Sequence, residues 1–260
     1  MPPVVLISLD GVRPDALTTA SCPALHSVRE QGASTLCARS VFPSITLPCH
    51  TSIFHSVPPS RHGIISNIFT PMARPLPGIV EIARASEKRV AIFYNWEQLR
   101  DLARPGSIHY AYFRDSSYDL DGDDETVFQA SGFIRQERPD FVFLYIGTVD
   151  TVGHKNGWMS EGYLKQLEHI DTLLADFFAA LPSEYTAIIH SDHGGHDRSH
   201  GTDLDEDMLI PWMAVGPHIK KGYTIQSEIT LLDTAPTIAS IMGIQAHHEW
   251  EGRSAEEIFQ

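Results

Sequence analysis

Cysteine is scarce in this 260-residue sequence, and the three present, Cys22, Cys37 and Cys49, form no disulfide framework. An odd, small number suits a reducing compartment, so a cytoplasmic location is the expectation. Long apolar runs are missing too: none reaches the roughly 18 residues that a membrane-spanning helix needs. Residues 1–20 contain Asp10, Arg13 and Asp15, which do not read as a secretory signal. Basic clusters are also absent: Lys and Arg total 19 against 33 Asp and Glu, a formal net charge of −14. A nucleic-acid polymer would meet repulsion on such a surface, which leaves small molecules as the expected partners. Low-complexity tracts and internal repeats are lacking. An apolar share of 42% nevertheless allows a full core. Histidine is the abundant residue, with 14 copies, and His190, Asp192, His193, His196, Asp197 and His200 crowd into residues 190–200. That density of imidazole and carboxylate is the composition of a metal site.

Short β-branched runs alternate with stretches of helical period. Val4–Leu9, Arg89–Tyr94, Asp140–Gly147, Tyr185–Ser191 and Met208–Gly216 read as buried strands. Pro77–Ser86, Trp96–Ala103, Glu125–Glu137, Ser160–Leu181 and Asp233–Met242 read as helices. The alternation predicts an α/β fold, a mostly parallel central sheet sandwiched between helical layers. One domain over residues 1–260 is expected, with a small cap within 64–120 as the one candidate subdivision.

Ligands of open α/β sheets sit beyond the carboxyl ends of the strands. Asp10 follows the first predicted strand, Asp150 and His154 follow Asp140–Gly147, and Asp192 with His193 follows Tyr185–Ser191. Any one of these aspartates is explained as a turn residue. Three exits that each deliver a carboxylate, two of them with an imidazole, point to a shared site. In the segment FPSITLPCHTSI, Pro48 fits only the first turn of a helix, so Thr46 is expected as its N-cap. A hydroxyl there faces free N–H groups and the positive end of the helix dipole, which suits a phosphoryl group. Tyr94, Asn95, Trp96 and Phe69 are candidates to line a leaving-group pocket.

SLDG at Asp10, T-x-P-x-H at Thr46, D-x-x-x-H at Asp150 and His154, SDHG at Asp192 and His193, and H-G at His200 together resemble the alkaline phosphatase superfamily. The nucleotide pyrophosphatase/phosphodiesterase branch is the most similar, with HGI at 62–64 and Asn67 adding to the likeness. The resemblance implies two zinc ions per chain, with manganese or another divalent ion as the alternative. One would be held by Asp150, His154 and His200, the other by Asp10, Thr46, Asp192 and His193. It further implies Thr46 as a nucleophile that forms a phosphothreonine, and a small phosphoester, such as a nucleotide, as substrate. His196 and His190 are set aside as ligands, while His50 and His62 are candidates to support the site from behind. Position 49 departs from the pattern: Cys49 stands where the branch is expected to carry an Asn that holds a phosphoryl oxygen, so Cys49 is a candidate substrate contact with a weak donor, and the backbone N–H groups of the helix start, with Asn67 or Asn95, would take more of that work. No Lys or Arg lies within six residues of Thr46, which favours diesters over monoester dianions. The competing readings are a phosphomonoesterase or phosphonate hydrolase on the same residues, and an inactive metal-binding interaction module. A sulfatase is disfavoured because no C-x-P-S-R motif is present.

Overall fold

Runs of β-branched and aromatic side chains become strands because an extended chain buries both of its faces when helices cover the sheet on each side. The computed structural model describes residues 1–260 and contains eight strands: β1 (Val4–Leu9), β2 (Ala33–Arg39), β3 (Val90–Tyr94), β4 (Tyr110–Phe113), β5 (Phe141–Ile146), β6 (Thr186–His190), β7 (Leu209–Val215) and β8 (Tyr223–Thr224). They form one sheet in the order β4-β3-β5-β1-β6-β7-β2-β8. Only β7 runs against the others, pairing antiparallel with both β6 and β2. The helices are α1 (Pro14–Thr19), α2 (Pro23–Gln31), α3 (Thr46–His55), α4 (Pro59–His62), α5 (Ile79–Ala85), α6 (Gly122–Glu137), α7 (Thr148–Asn156), α8 (Glu161–Ala180), α9 (Asp205–Met208) and α10 (Thr234–Met242).

Strand alternation divides the interior into two cores. Val4, Leu6, Phe141 and Phe143 face the layer that contains α3, α5 and α10, whereas Val5, Ile7, Val142 and Leu144 face α2, α6 and α8. The longest helix shows how sequence sets this packing. In α8, Tyr163, Leu167, Ile170, Leu174 and Phe177 recur at helical spacing and are buried, and the Ser160 hydroxyl caps the start by accepting from the Tyr163 N–H. Such a cap stabilises a helix by about 1 kcal/mol.

The sandwich and the five strands expected from the sequence are present, while some local expectations are corrected. Trp96–Ala103 is not an α-helix but a 3-10 turn over Glu97–Leu102. Thr46 is the first residue of α3 rather than its cap, because Ile45 holds the extended cap position and offers no capping side chain. Strand β2 carries no apolar run, β4 is a largely exposed edge strand and β8 is only two residues long; these three lack the buried-strand signal that marked the other five. Within 64–120, α5 lies on the sheet and β3 and β4 belong to it, while residues 64–78 form a loop. No helix is long and apolar enough to cross a membrane.

Candidate active site

The carboxyl edge of the sheet gathers the predicted residues. Asp10 leaves β1, Asp192 and His193 leave β6, α7 after β5 carries Asp150 and His154, and the segment between β6 and β7 carries His200. Gly11 makes the first meeting possible. Its φ is +70°, and a Cβ there would lie 3.0 Å from the Asp150 Cα.

Two groups of ligand-type side chains result: Asp150, His154 and His200 in one, Asp10, Asp192 and His193 in the other, with the ligand atoms of each within 4.8 Å of one another. The first group is open to solvent, His154 being 46% exposed, and the second is closed, none of its side chains exceeding 1%. Thr46 Oγ1 lies 3.2 Å from His193 Nε2 and lines the same 260 Å³ pocket as Asp150, His154 and His200. Released from capping, the hydroxyl is free for chemistry.

Imidazole orientation is fixed from behind. The Nδ1 atoms of His154, His193 and His200 lie 2.9, 2.8 and 2.8 Å from the carbonyls of Arg198, Gly194 and Ser44. Each Nδ1 must therefore carry a proton and donate, which turns the Nε2 atom towards the site. His193 Nε2 then faces Asp10 Oδ1 at 3.2 Å and Asp192 Oδ2 at 3.5 Å. Asp10 Oδ1, Asp150 Oδ1 and Asp192 Oδ2 are buried without hydrogen-bond partners. Burial first, and then the neighbouring carboxylates, push Asp10 and Asp150 well above the ordinary carboxylate range; burial also raises Asp192. Burial pushes His193 and His200 down to about 3, so both are neutral. Unpaired acceptors converging on neutral imidazoles form a donor set that fits divalent cations.

The sequence matches the family described as type I phosphodiesterase/nucleotide pyrophosphatase over residues 4–76 and 80–215. The chain belongs to that family. Ectonucleotide pyrophosphatase/phosphodiesterase family member 3 of Rattus norvegicus is 27% identical over 217 residues, covering 74% of this chain and 25% of the relative. The chain thus spans about a quarter of the length of that relative. Among solved structures, the inactive form of murine ectonucleotide pyrophosphatase/phosphodiesterase 5 in complex with AMP superposes with a TM-score of 0.84 at 16% identity, covering 100% of both chains. An alkaline phosphatase variant gives 0.82 at 13% identity, over 100% of this chain and 99% of the other. The fold is that of the alkaline phosphatases.

Not every candidate reaches the pocket of this family member. Trp96 and Asn67 line it, joined by Ser117 and Tyr118, which the sequence did not single out. Cys49 does not: its thiol is fully buried, 3.2 Å from Ser40 Oγ, and burial raises its pKa strongly. Asn95 is also turned inward, donating to Asp123 at 2.7 Å. Tyr94 stacks on Phe113. Asn67 is the asparagine that meets the start of α3, where its Oδ1 accepts from the Leu47 N–H at 3.0 Å. Of the supporting histidines, His50 sits between Ser8 and the Thr46 carbonyl, 3.5 Å from Asp192, whereas His62 bonds Ser52 away from both ligand groups. His196 pairs with Asp207, and His190 is packed inside β6. Tyr145 was missed. Its hydroxyl donates to Asp10 Oδ2, a role that strand periodicity cannot separate from plain packing.

Proposed function

We propose that the protein hydrolyses small phosphate diesters or nucleotide pyrophosphates through Thr46 and two zinc ions. The observation that carries this reading is the Thr46 hydroxyl at the start of α3, uncapped and beside both ligand groups in one pocket. Asp150, His154 and His200 would hold one ion, and Asp10, Thr46, Asp192 and His193 the other. When bound, such a pair supplies Lewis-acid neutralisation of phosphoryl oxygens and lowers the pKa of a coordinated hydroxyl. Thr46 Oγ1 gives up its proton to solvent and attacks phosphorus, a P–Oγ bond forms, and the P–O bond to the leaving group breaks with its electron pair, the departing oxygen taking a proton back from solvent. Water then cleaves the phosphothreonine, releasing a monoester and restoring the hydroxyl. The Asn67 amide Nδ2, left over after Oδ1 has engaged Leu47, is placed to donate to a nonbridging oxygen. Trp96 and Tyr118 offer aromatic faces to a leaving group such as a nucleoside. The AMP held by the murine relative supports that substrate class.

Charge argues for the diester. No Lys or Arg lines the pocket. Arg13 is taken up by Asp15 and the Gly195 carbonyl, and Arg61 by Glu249 and Glu251. A diester brings one negative charge to the site, while a monoester dianion brings a second that a cationic side chain would normally meet. The zinc-loaded protein is therefore expected to show a higher kcat/KM for an aryl phosphodiester or a nucleotide pyrophosphate than for the matching aryl monoester. A monoester preference in paired assays would make it a phosphatase instead.

Metal uptake gives a separate check. Burial and mutual repulsion bias the Asp10, Asp150 and Asp192 carboxyl groups towards the protonated form in the metal-free protein, whereas coordination requires them ionised and the imidazoles of His193 and His200 neutral. Zinc binding is expected to release protons, measured by calorimetry in buffers of different ionisation enthalpy. A buffer-independent binding heat would contradict it.

A further inference from the structure

The two ligand groups differ in how the fold holds them. Asp10, Asp192 and His193 follow β1 and β6, central strands paired on both sides, and the Asp10 N–H is itself bonded to the Ile146 carbonyl at 2.9 Å. Asp150, His154 and His200 lie off the sheet, on α7 and on the segment between β6 and β7. Each of those two pieces is gripped by a carboxylate that is not itself in a ligand group and is 0% exposed.

Asp123, at the start of α6, accepts from the Gly147 N–H at 3.0 Å, the Thr148 N–H at 2.9 Å and the Thr148 hydroxyl. Those donors are the first turn of α7, which would otherwise end in unsatisfied N–H groups against the sheet. The Asn95 amide donates to the same carboxylate at 2.7 Å, and Gln166 donates to Thr148 Oγ1 at 2.7 Å, so the hydroxyl proton must point to Asp123. Asp207, before β7, accepts from the Thr202 N–H at 2.8 Å, the Thr202 hydroxyl at 2.7 Å and His196 Nδ1 at 2.7 Å. It thereby closes the segment that presents His200 and supplies the Arg198 carbonyl to His154.

We infer that Asp123 and Asp207 are positioning residues for the Asp150, His154 and His200 group alone, each fixing one of the two off-sheet segments that bring those side chains together. The inference rests on the two-ion reading. Every partner of Asp123 is a donor, so an acceptor-only side chain is required. An Asn there must aim an N–H at other N–H groups, and the first turn of α7 loses part of its anchor on α6.

The test is a zinc titration of the metal-free protein against a competing chromophoric chelator, for the parent and for Asp123→Asn, Asp207→Asn and His154→Ala. The parent is expected to bind two ions. Asp123→Asn and Asp207→Asn should each weaken one affinity by about 10–100-fold, the size typical for a group supporting a ligand from behind. It should be the affinity that His154→Ala abolishes, with the other unchanged. A general loss of stability would weaken both. Thr148→Val, which removes one donor and keeps the shape, should act in the same direction more weakly, and decides the matter if Asp123→Asn does not fold. Equal weakening of both affinities, no weakening, or effects of the two aspartates on different ions would overturn the inference. A parent that binds a single ion sinks the two-ion reading instead. The inference then turns on whether both aspartate variants weaken the ion that His154→Ala removes.

Discussion

Thr46→Ala is expected to cost at least about 10³-fold in kcat while leaving both ligand groups able to bind metal, because removal of a nucleophile eliminates the covalent step outright. Stability should change by under ~1 kcal/mol. Thr46 is in the first turn of α3, caps nothing, and its only polar side-chain contact is His193 Nε2 at 3.2 Å, while Ala is the better helix former. The two effects together separate a catalytic loss from an unfolded protein. Thr46→Ser should retain part of the activity, since an Oγ remains at the same position. Steady-state kinetics with zinc-loaded enzyme, alongside metal analysis of each variant, provide the measurement. Turnover by Thr46→Ala near the parental rate would replace the covalent route with direct attack by water.

The ligand-type residues were legible in the sequence because an open α/β sheet brings its strand exits to one edge, whatever their separation along the chain. Asp10 and Asp192 are 182 positions apart, yet the Gly11 N–H donates to Asp192 Oδ1 at 3.2 Å. Helix α3 shows where such reading stops. All ten of its residues are buried, so no polar face marks which side meets the pocket and which meets the core. Pattern alone makes position 49 a candidate for the phosphoryl contact, whereas the thiol packs on Ser40. Asn67 carried only a weak signal. It belongs to a loop without period, whose path depends on contacts distant in sequence, such as Arg74 with Glu249. Asp123 and Asp207 gave none at all, because acids within or beside helices are ordinary solvated residues until the fold closes over them.

Replacing Asn67 should produce the second large effect. Its side chain is proposed to do two things at once: Oδ1 satisfies the Leu47 N–H at the start of α3, which leaves Nδ2 as the donor for the pocket that Asn67 and Thr46 both line. A fixed donor aimed at a developing phosphoryl charge typically contributes about 10²–10³ in rate. Asn67→Ala is expected to lower kcat/KM by that amount and also to free the Leu47 N–H. Asn67→Asp separates the two roles. It keeps an acceptor for Leu47, so the helix start stays closed, but it removes the donor and places a negative charge where a phosphate oxygen should lie. Its turnover should be as low as that of the Ala variant or lower, with stability nearer the parent. Cys49→Ala is the contrast, because its thiol lies away from the pocket and reaches only Ser40 and the Pro43 carbonyl. That substitution should cost stability with turnover within a few-fold of the parent, roughly. Near-parental activity in Asn67→Asp would mean that the amide donates to nothing in the reaction, and a strong rate loss in Cys49→Ala with unchanged stability would return position 49 to the phosphoryl site.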